Sequence, residues 1–235
     1  MRTRTRKARP IRAAVIIVPA LVMTLVSGAC APAAFAASSA PPCTAGTGPY
    51  QRRLEQHLGL RADGRQSPSD CAAIRAFQQR NGVRPAAGYA GPITHHAVLV
   101  VEARANPDPG RKCPAHSTRI ACVDLDRRLM WVREGLRVVY PAVPVRTGRD
   151  GSETRTGWHR VYRRSIDHRS TLYGNAPMPH AQFFSRGQAF HGYSGDIFRG
   201  GSHGCVNLRS ADARRLWDTL RKGDQVYVWG RAPGT

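Results

Sequence analysis

Helical spacing appears first. Tyr50, Leu54 and Leu58 fall at i, i+4 and i+8, and Gly59 ends the run. Ser67-Pro68-Ser69-Asp70 predicts the start of a second helix, with Ser67 as N-cap, Pro68 in the first helical position and an acid in the third. This helix gathers Cys71, Ile74, Phe77 and Gln78 on one side and stops at Asn81-Gly82. A third short helix is predicted from Gly91-Pro92-Ile93-Thr94 towards Glu102. Asn106-Pro107-Asp108-Pro109-Gly110 is punctuation, and beyond it apolar residues alternate as in strands. Strands are predicted at 119–125, 128–133 and 136–140, with Arg133-Glu134-Gly135 as a hairpin turn, and again at 142–145, 157–163, 181–185 and 189–191. One late helix over 211–221, capped by Ser210 with Asp212 in its first turn, buries Leu216, Trp217 and Leu220. Gln225-Val-Tyr-Val-Trp229 is the last strand. The pattern predicts a small all-α three-helix domain over 49–104, a linker at 105–116 and a mainly β domain with one late helix over 117–230.

The segment before Tyr50 is of another kind. Residues 1–12 carry Arg2, Arg4, Arg6, Lys7, Arg9 and Arg12 with no acid, an uncharged apolar run extends from Ala13 to Val26, and small residues end in Ala34-Phe35-Ala36. A basic n-region, an apolar h-region and an A-x-A site define a secretory signal peptide over 1–36, followed by a linker over 37–48. Lipoprotein processing at Cys30, after Val26-Ser-Gly-Ala, and an uncleaved membrane anchor are the other two readings of the same segment. Each of them exports the protein to the cell wall or beyond. The membrane is a partner only through a lipid on Cys30 or an uncleaved signal.

Export changes how the charge is read. The 235 residues carry a formal charge of +21, and all but Lys7, Lys112 and Lys222 of the 36 basic residues are arginine, an imbalance that a coding bias produces as readily as phosphate recognition. Without residues 1–36 the charge falls from +21 to +15. Outside the cytoplasm the available polyanions are anionic cell-wall polymers and lipid headgroups, not nucleic acid.

Export also puts the cysteines in an oxidising compartment. Cys43, Cys71, Cys113, Cys122 and Cys205 follow the signal, an odd number that leaves one unpaired. Four cysteines allow three pairings. Cys43–Cys71 and Cys113–Cys122 each close a loop within one region and are the pairs expected, which leaves Cys205.

The surroundings of Cys205 are the chemically informative stretch: Phe190-His191-Gly192-Tyr193, then Gly200-Gly201-Ser202-His203-Gly204-Cys205-Val206-Asn207-Leu208-Arg209. A cysteine nucleophile needs a base or cation nearby. His203 is only two residues away, too close along the chain to converge easily on Cys205, whereas His191 can approach from another strand. His191 is therefore expected to be general base and acid. The glycines beside Cys205 let the N–H groups of His203, Gly204 and Cys205 turn to one point as an oxyanion hole. A metal site from His191, His203 and Cys205 is disfavoured by the awkward His-x-Cys spacing. A papain-like peptidase is disfavoured by the order of the two residues.

Two resemblances follow. Leu54, Leu58-Gly59-Leu60, Asp63-Gly64, Ala73-Ile-Arg-Ala-Phe77-Gln78, Gly82 and Gly91-Pro-Ile-Thr94 are similar to the three-helix peptidoglycan-binding module of secreted wall enzymes, with Gly88-Tyr89-Ala90 in place of a second Asp-Gly. A structural cap on the following domain is the other reading of these helices. Ser202-His203-Gly204-Cys205-Val206-Asn207, after His191-Gly192, resembles the L,D-transpeptidase catalytic domain, with a short ten-residue spacer between His191 and Ser202. That resemblance implies an L,D-transpeptidase-like β-sandwich acting on peptidoglycan stem peptides, with no metal or organic cofactor. It makes Cys205 the nucleophile and His191 its partner, with the Gly192 carbonyl orienting the imidazole. Ser202, Asn207 and Arg209 then support or line the substrate site, and Arg199 is a further candidate for pairing with substrate carboxylates. The implied reaction forms 3→3 cross-links through a thioester. An L,D-carboxypeptidase using the same thiol and a non-catalytic wall-binding protein are the alternatives.

Overall fold

The computed structural model describes residues 42–233, which fall within one compact unit. The signal peptide, its cleavage point, Cys30 and the start of the first linker lie outside the described residues. Helices α1 (Gln51–Leu58), α2 (Pro68–Arg80) and α3 (Pro92–Ala105) come first. Gly59 ends α1 in the left-handed conformation, and Ser67 and Asp70 form a reciprocal capping box at the start of α2. Strands β1 (Arg119–Asp124), β2 (Leu129–Glu134), β3 (Arg137–Pro144), β4 (Gly157–Arg160), β5 (Arg163–Arg169), β6 (Pro177–Ser185), β7 (Gln188–Tyr193) and β8 (Val206–Arg209) follow. Helix α4 (Ser210–Thr219) then leads to β9 (Gln225–Trp229).

The strands form a five-stranded sheet in the order β3-β2-β1-β9-β4 and a four-stranded sheet in the order β5-β6-β7-β8. Pairings β1–β9 and β7–β8 are parallel and the others antiparallel. Val123, Val132, Val226 and Val228 from the larger sheet meet Phe184, Phe190, Val206 and Leu208 from the smaller one, and Ala213 and Leu216 of α4, with Leu220 at its C-terminal cap, close this core.

Several elements differ from expectation. The run 157–163 is two strands, because the chain leaves the larger sheet after Arg160 and enters the smaller one at Arg163. Residues 142–144 continue β3 rather than forming a strand of their own. Ser210 is the first residue of α4; Arg209 holds the cap position, and no side chain caps the helix. Strand β8 was not foreseen.

The helices and the strands share apolar clusters at two places. Val100 and Ala103 of α3 pack on the outer face of the larger sheet, against Ile120, Cys122, Leu129, Trp131 and Trp229. Ile197 and Phe198, from the spacer after β7, complete the core that Leu54, Ile74, Phe77, Ala97 and Val98 begin. Disulfides join Cys43 to Cys71 and Cys113 to Cys122, with Cα separations of 5.9 and 5.8 Å, and Cys205 is free.

His96 of α3 sits at this junction. Its Nε2 is 3.1 Å from the Arg128 carbonyl, which can only accept, and its ring meets Phe198 edge-on. Burial pushes its pKa down to about 4 from 6.5. The folded protein therefore excludes a proton that the unfolded chain binds. Stability present above pH 6.5 is lost as pH falls towards 4, by about 3 kcal/mol. His96→Gln retains an N–H donor without the titration. Its loss of stability between pH 7 and pH 4.5, measured by urea unfolding, is expected to be smaller than the parent's; equal losses would contradict this assignment.

Candidate active site

Strand alternation builds the site. In β7, Phe190 turns into the core while His191 turns out; in and beside β8, Val206 and Leu208 turn in while Cys205 and Asn207 turn out. The parallel register pairs Phe190 with Val206 and His191 with Asn207, so Cys205 lies beside Ala189, one step diagonally from His191. Both side chains open into one cavity of about 330 Å³, which Met178, Pro179, Tyr193 and Tyr173 also line.

The other edge of the cysteine segment is stitched to residues 146–149. Arg146 and Asn207 exchange backbone hydrogen bonds of 3.0 and 2.8 Å, Ser202 N–H donates to the Thr147 carbonyl at 2.8 Å, and Arg149 N–H donates to the Ser202 carbonyl at 3.0 Å. The turn itself is held by Ser202, whose hydroxyl donates to the Cys205 carbonyl at 2.6 Å and accepts the Gly204 N–H at 3.1 Å. Gly204 has φ +104°, and a Cβ there would lie 2.2 Å from Gln188 Nε2, itself bonded to the Glu153 carbonyl. Only glycine fits this turn.

The bond from Gly204 changes one expectation. Its N–H is occupied by Ser202 Oγ, so it is not a free oxyanion donor. The hydrogen bonds of the turn leave the N–H groups of His203 and Cys205 unused.

His191 Nδ1 lies 2.8 Å from the Gly192 carbonyl, and Nε2 lies 2.8 Å from Asn207 Nδ2. A carbonyl can only accept, so Nδ1 carries the proton and Nε2 the lone pair. Burial, together with the charges of Arg146 and His168, lowers the His191 pKa, against an opposing pull from the Gly192 carbonyl. Burial raises the Cys205 pKa, partly offset by the Ala189 N–H. Both shifts favour a resting pair of thiol and neutral imidazole over an ion pair.

The remaining candidates are dispersed. His203 lines the same cavity but is engaged elsewhere, stacked on Tyr173 at 4.3 Å with its Nε2 2.7 Å from Arg149. Arg209 does not line the cavity: its guanidinium covers Phe198 and reaches the Asn81 carbonyl at the end of α2, where a cation meets the negative pole of the helix. Arg199 pairs with Asp196 at the surface. Sequence reasoning missed Arg146, which donates to Asn207 Oδ1 at 2.6 Å and to the carbonyls of Arg199 and Gly201. No motif marks it in so arginine-rich a chain. Among the described residues no three His, Cys, Asp or Glu side chains gather as a metal site.

Two packed sheets thus bring Cys205, just before β8, and His191, on the adjoining parallel strand β7, to one cavity. A family model for the L,D-transpeptidase catalytic domain (YkuD) matches residues 118–228. The crystal structure of an L,D-transpeptidase from Stackebrandtia nassauensis is 36% identical, with 82% of this chain and 96% of that one aligned and a TM-score of 0.64. That of an L,D-transpeptidase from Xylanimonas cellulosilytica is 27% identical over 80% of this chain and 97% of that one, with a TM-score of 0.45. No curated protein sequence matches. The chain belongs to the L,D-transpeptidase family and is an acyltransferase.

Proposed function

We propose that this is an exported enzyme that forms 3→3 cross-links between peptidoglycan stem peptides through a thioester on Cys205. The observation that carries the reading is the placement of Cys205 and His191 on one cavity wall, with Nε2 of His191 bearing a lone pair. In the first step the sulfur bonds to the carbonyl of the third stem residue and the bond to D-Ala breaks. Nε2 exchanges the Asn207 amide for the thiol proton, then gives that proton to the departing amine. In the second step an acceptor amine bonds to the same carbon, the thioester bond breaks, and the amine's proton returns to sulfur by way of His191. The His203 and Cys205 N–H groups are the donors available for the developing oxyanion.

The basic amino-terminal segment and apolar run support export, and with it an oxidising compartment in which the two disulfides form. Among the described residues no helix is long and apolar enough to cross a membrane. The helices over 49–104 are proposed to bind the wall as well as to brace the β domain over 117–230, and the basic surface to favour anionic wall polymers. No cofactor enters the scheme.

Mass analysis of purified tetrapeptide muropeptides incubated with the enzyme tests the reading. Dimers linked 3→3 are expected. Tripeptides alone would assign a carboxypeptidase, and unchanged substrate a binding protein.

A further inference from the structure

We infer that Arg146 is the positioning residue that sets the tautomer of His191, acting through the side-chain amide of Asn207. The inference rests on the reading of Cys205 and His191 as the reacting pair. A guanidinium only donates, so the Asn207 atom 2.6 Å from Arg146 Nη1 must be the amide oxygen. That assignment turns the amide nitrogen towards His191 Nε2, 2.8 Å away, which must then be an acceptor. The proton is left on Nδ1, directed at the Gly192 carbonyl. One polarity therefore runs from Arg146 through Asn207 and His191 to Gly192, and it leaves the lone pair on Nε2, the nitrogen that the proposed mechanism uses as base. If the amide flipped, its oxygen would face Nε2 and favour a proton there, and the imidazole would have no lone pair on that side to take the thiol proton.

Arg146 is itself fixed. Its Nε and second terminal nitrogen hold the carbonyls of Arg199 and Gly201, and its guanidinium lies over the Tyr193 ring at 4.6 Å. The planar fork thus joins the spacer between His191 and Ser202 to Asn207. A lysine ammonium keeps the charge but has no planar fork to hold these acceptors in one arrangement.

The ionisable groups that face His191 are few. Arg146 comes from the segment after β3 and His168 from β5; both charges lower its pKa. Cys205, His203, Tyr193 and Tyr173 share the cavity with it. Helix α4, packed on β7, brings Asp212 and Arg215, which pair with each other.

The test is nitrogen NMR of protein labelled at histidine, alongside the pH dependence of acylation by a tetrapeptide donor. The parent is expected to show His191 protonated at Nδ1 and bare at Nε2. Arg146→Lys should populate both tautomers with the acid limb of the pH profile unmoved. Arg146→Met should populate both and shift that limb to higher pH, because a charge that opposed protonation is gone. Acylation is expected to fall roughly tenfold or more in each, out of the 10²–10⁴-fold that a positioned base supplies. A parent protonated at Nε2, or an Arg146→Lys protein with one tautomer and acylation within about twofold of the parent, would overturn the inference. Cys205→Ala run in parallel separates the two levels. If it still acylates, the reading of the site falls and the inference with it; if it is silent while both Arg146 variants match the parent, only the inference falls.

Discussion

Cys205→Ala is expected to fold as the parent does and to lose cross-linking by roughly 10⁴-fold or more, the scale seen when a covalent nucleophile is removed. The side chain packs beside Met178, Ala181, Phe183 and Ala189, and alanine deletes a single sulfur from that apolar wall. The turn that carries it is held by groups the substitution leaves alone: the Ser202 hydroxyl, the carbonyl of residue 205 and the contact of Gln188 with Gly204. Thermal unfolding should therefore change little while turnover disappears. Retained cross-linking, followed by chromatography of muropeptide products, would contradict the role of the thiol.

A chain beginning at residue 106 is expected not to fold cooperatively. Without α3, the outer face of the larger sheet would expose Ile120, Leu129, Trp131 and Trp229, all now buried. Without α1 and α2, Ile197 and Phe198 would lose the core they complete, and Arg209 its partner at Asn81. Each large apolar side chain so exposed forfeits about 1.5–3 kcal/mol, against a total stability of about 5–15 kcal/mol for a domain. Size-exclusion chromatography and circular dichroism melts would report aggregation and no sharp transition. A monomer with a cooperative melt and full acyl transfer would show that the helices are dispensable. Because Ile197 and Phe198 lie in the spacer between His191 and Ser202, the same truncation disturbs the active site. Wall binding by the helices is better probed by substitutions on their exposed faces.

What the sequence revealed was mostly local. The capping box at Ser67 and Asp70, the stop at Gly59 and the pairing of Cys113 with Cys122 depend on residues close along the chain, so their spacing was readable. Alternation does not separate His191 from His203, because residues two apart on an extended chain share a face and His203 lines the same cavity as Cys205. What sets His203 apart is its stacking on Tyr173 and its contact with Arg149, neither readable from spacing. Strand β8 was illegible: it has four residues, and its partner across the sheet is β7, a parallel strand reached only after the spacer. Strand β5 was hidden for another reason. Its Arg-rich sequence leaves both faces largely open, so no apolar alternation marked it. Ser210 resembled a helix cap, yet the extended β8 ends at Arg209 and feeds directly into α4. The role of Arg146 arises from contacts between distant segments, which spacing along one chain does not encode. The engagement of Gly204 by Ser202, two residues apart, depends instead on the local backbone conformation of the turn, which residue types alone do not fix.

The central claim is that the acyl group is carried on Cys205. Its most direct test is peptide mapping by mass spectrometry of the enzyme quenched during turnover of a tetrapeptide donor. The account predicts a stem-peptide adduct, lost on treatment with hydroxylamine, on the peptide that contains Cys205. An adduct on any other residue, or product formed with no covalent intermediate, would contradict it.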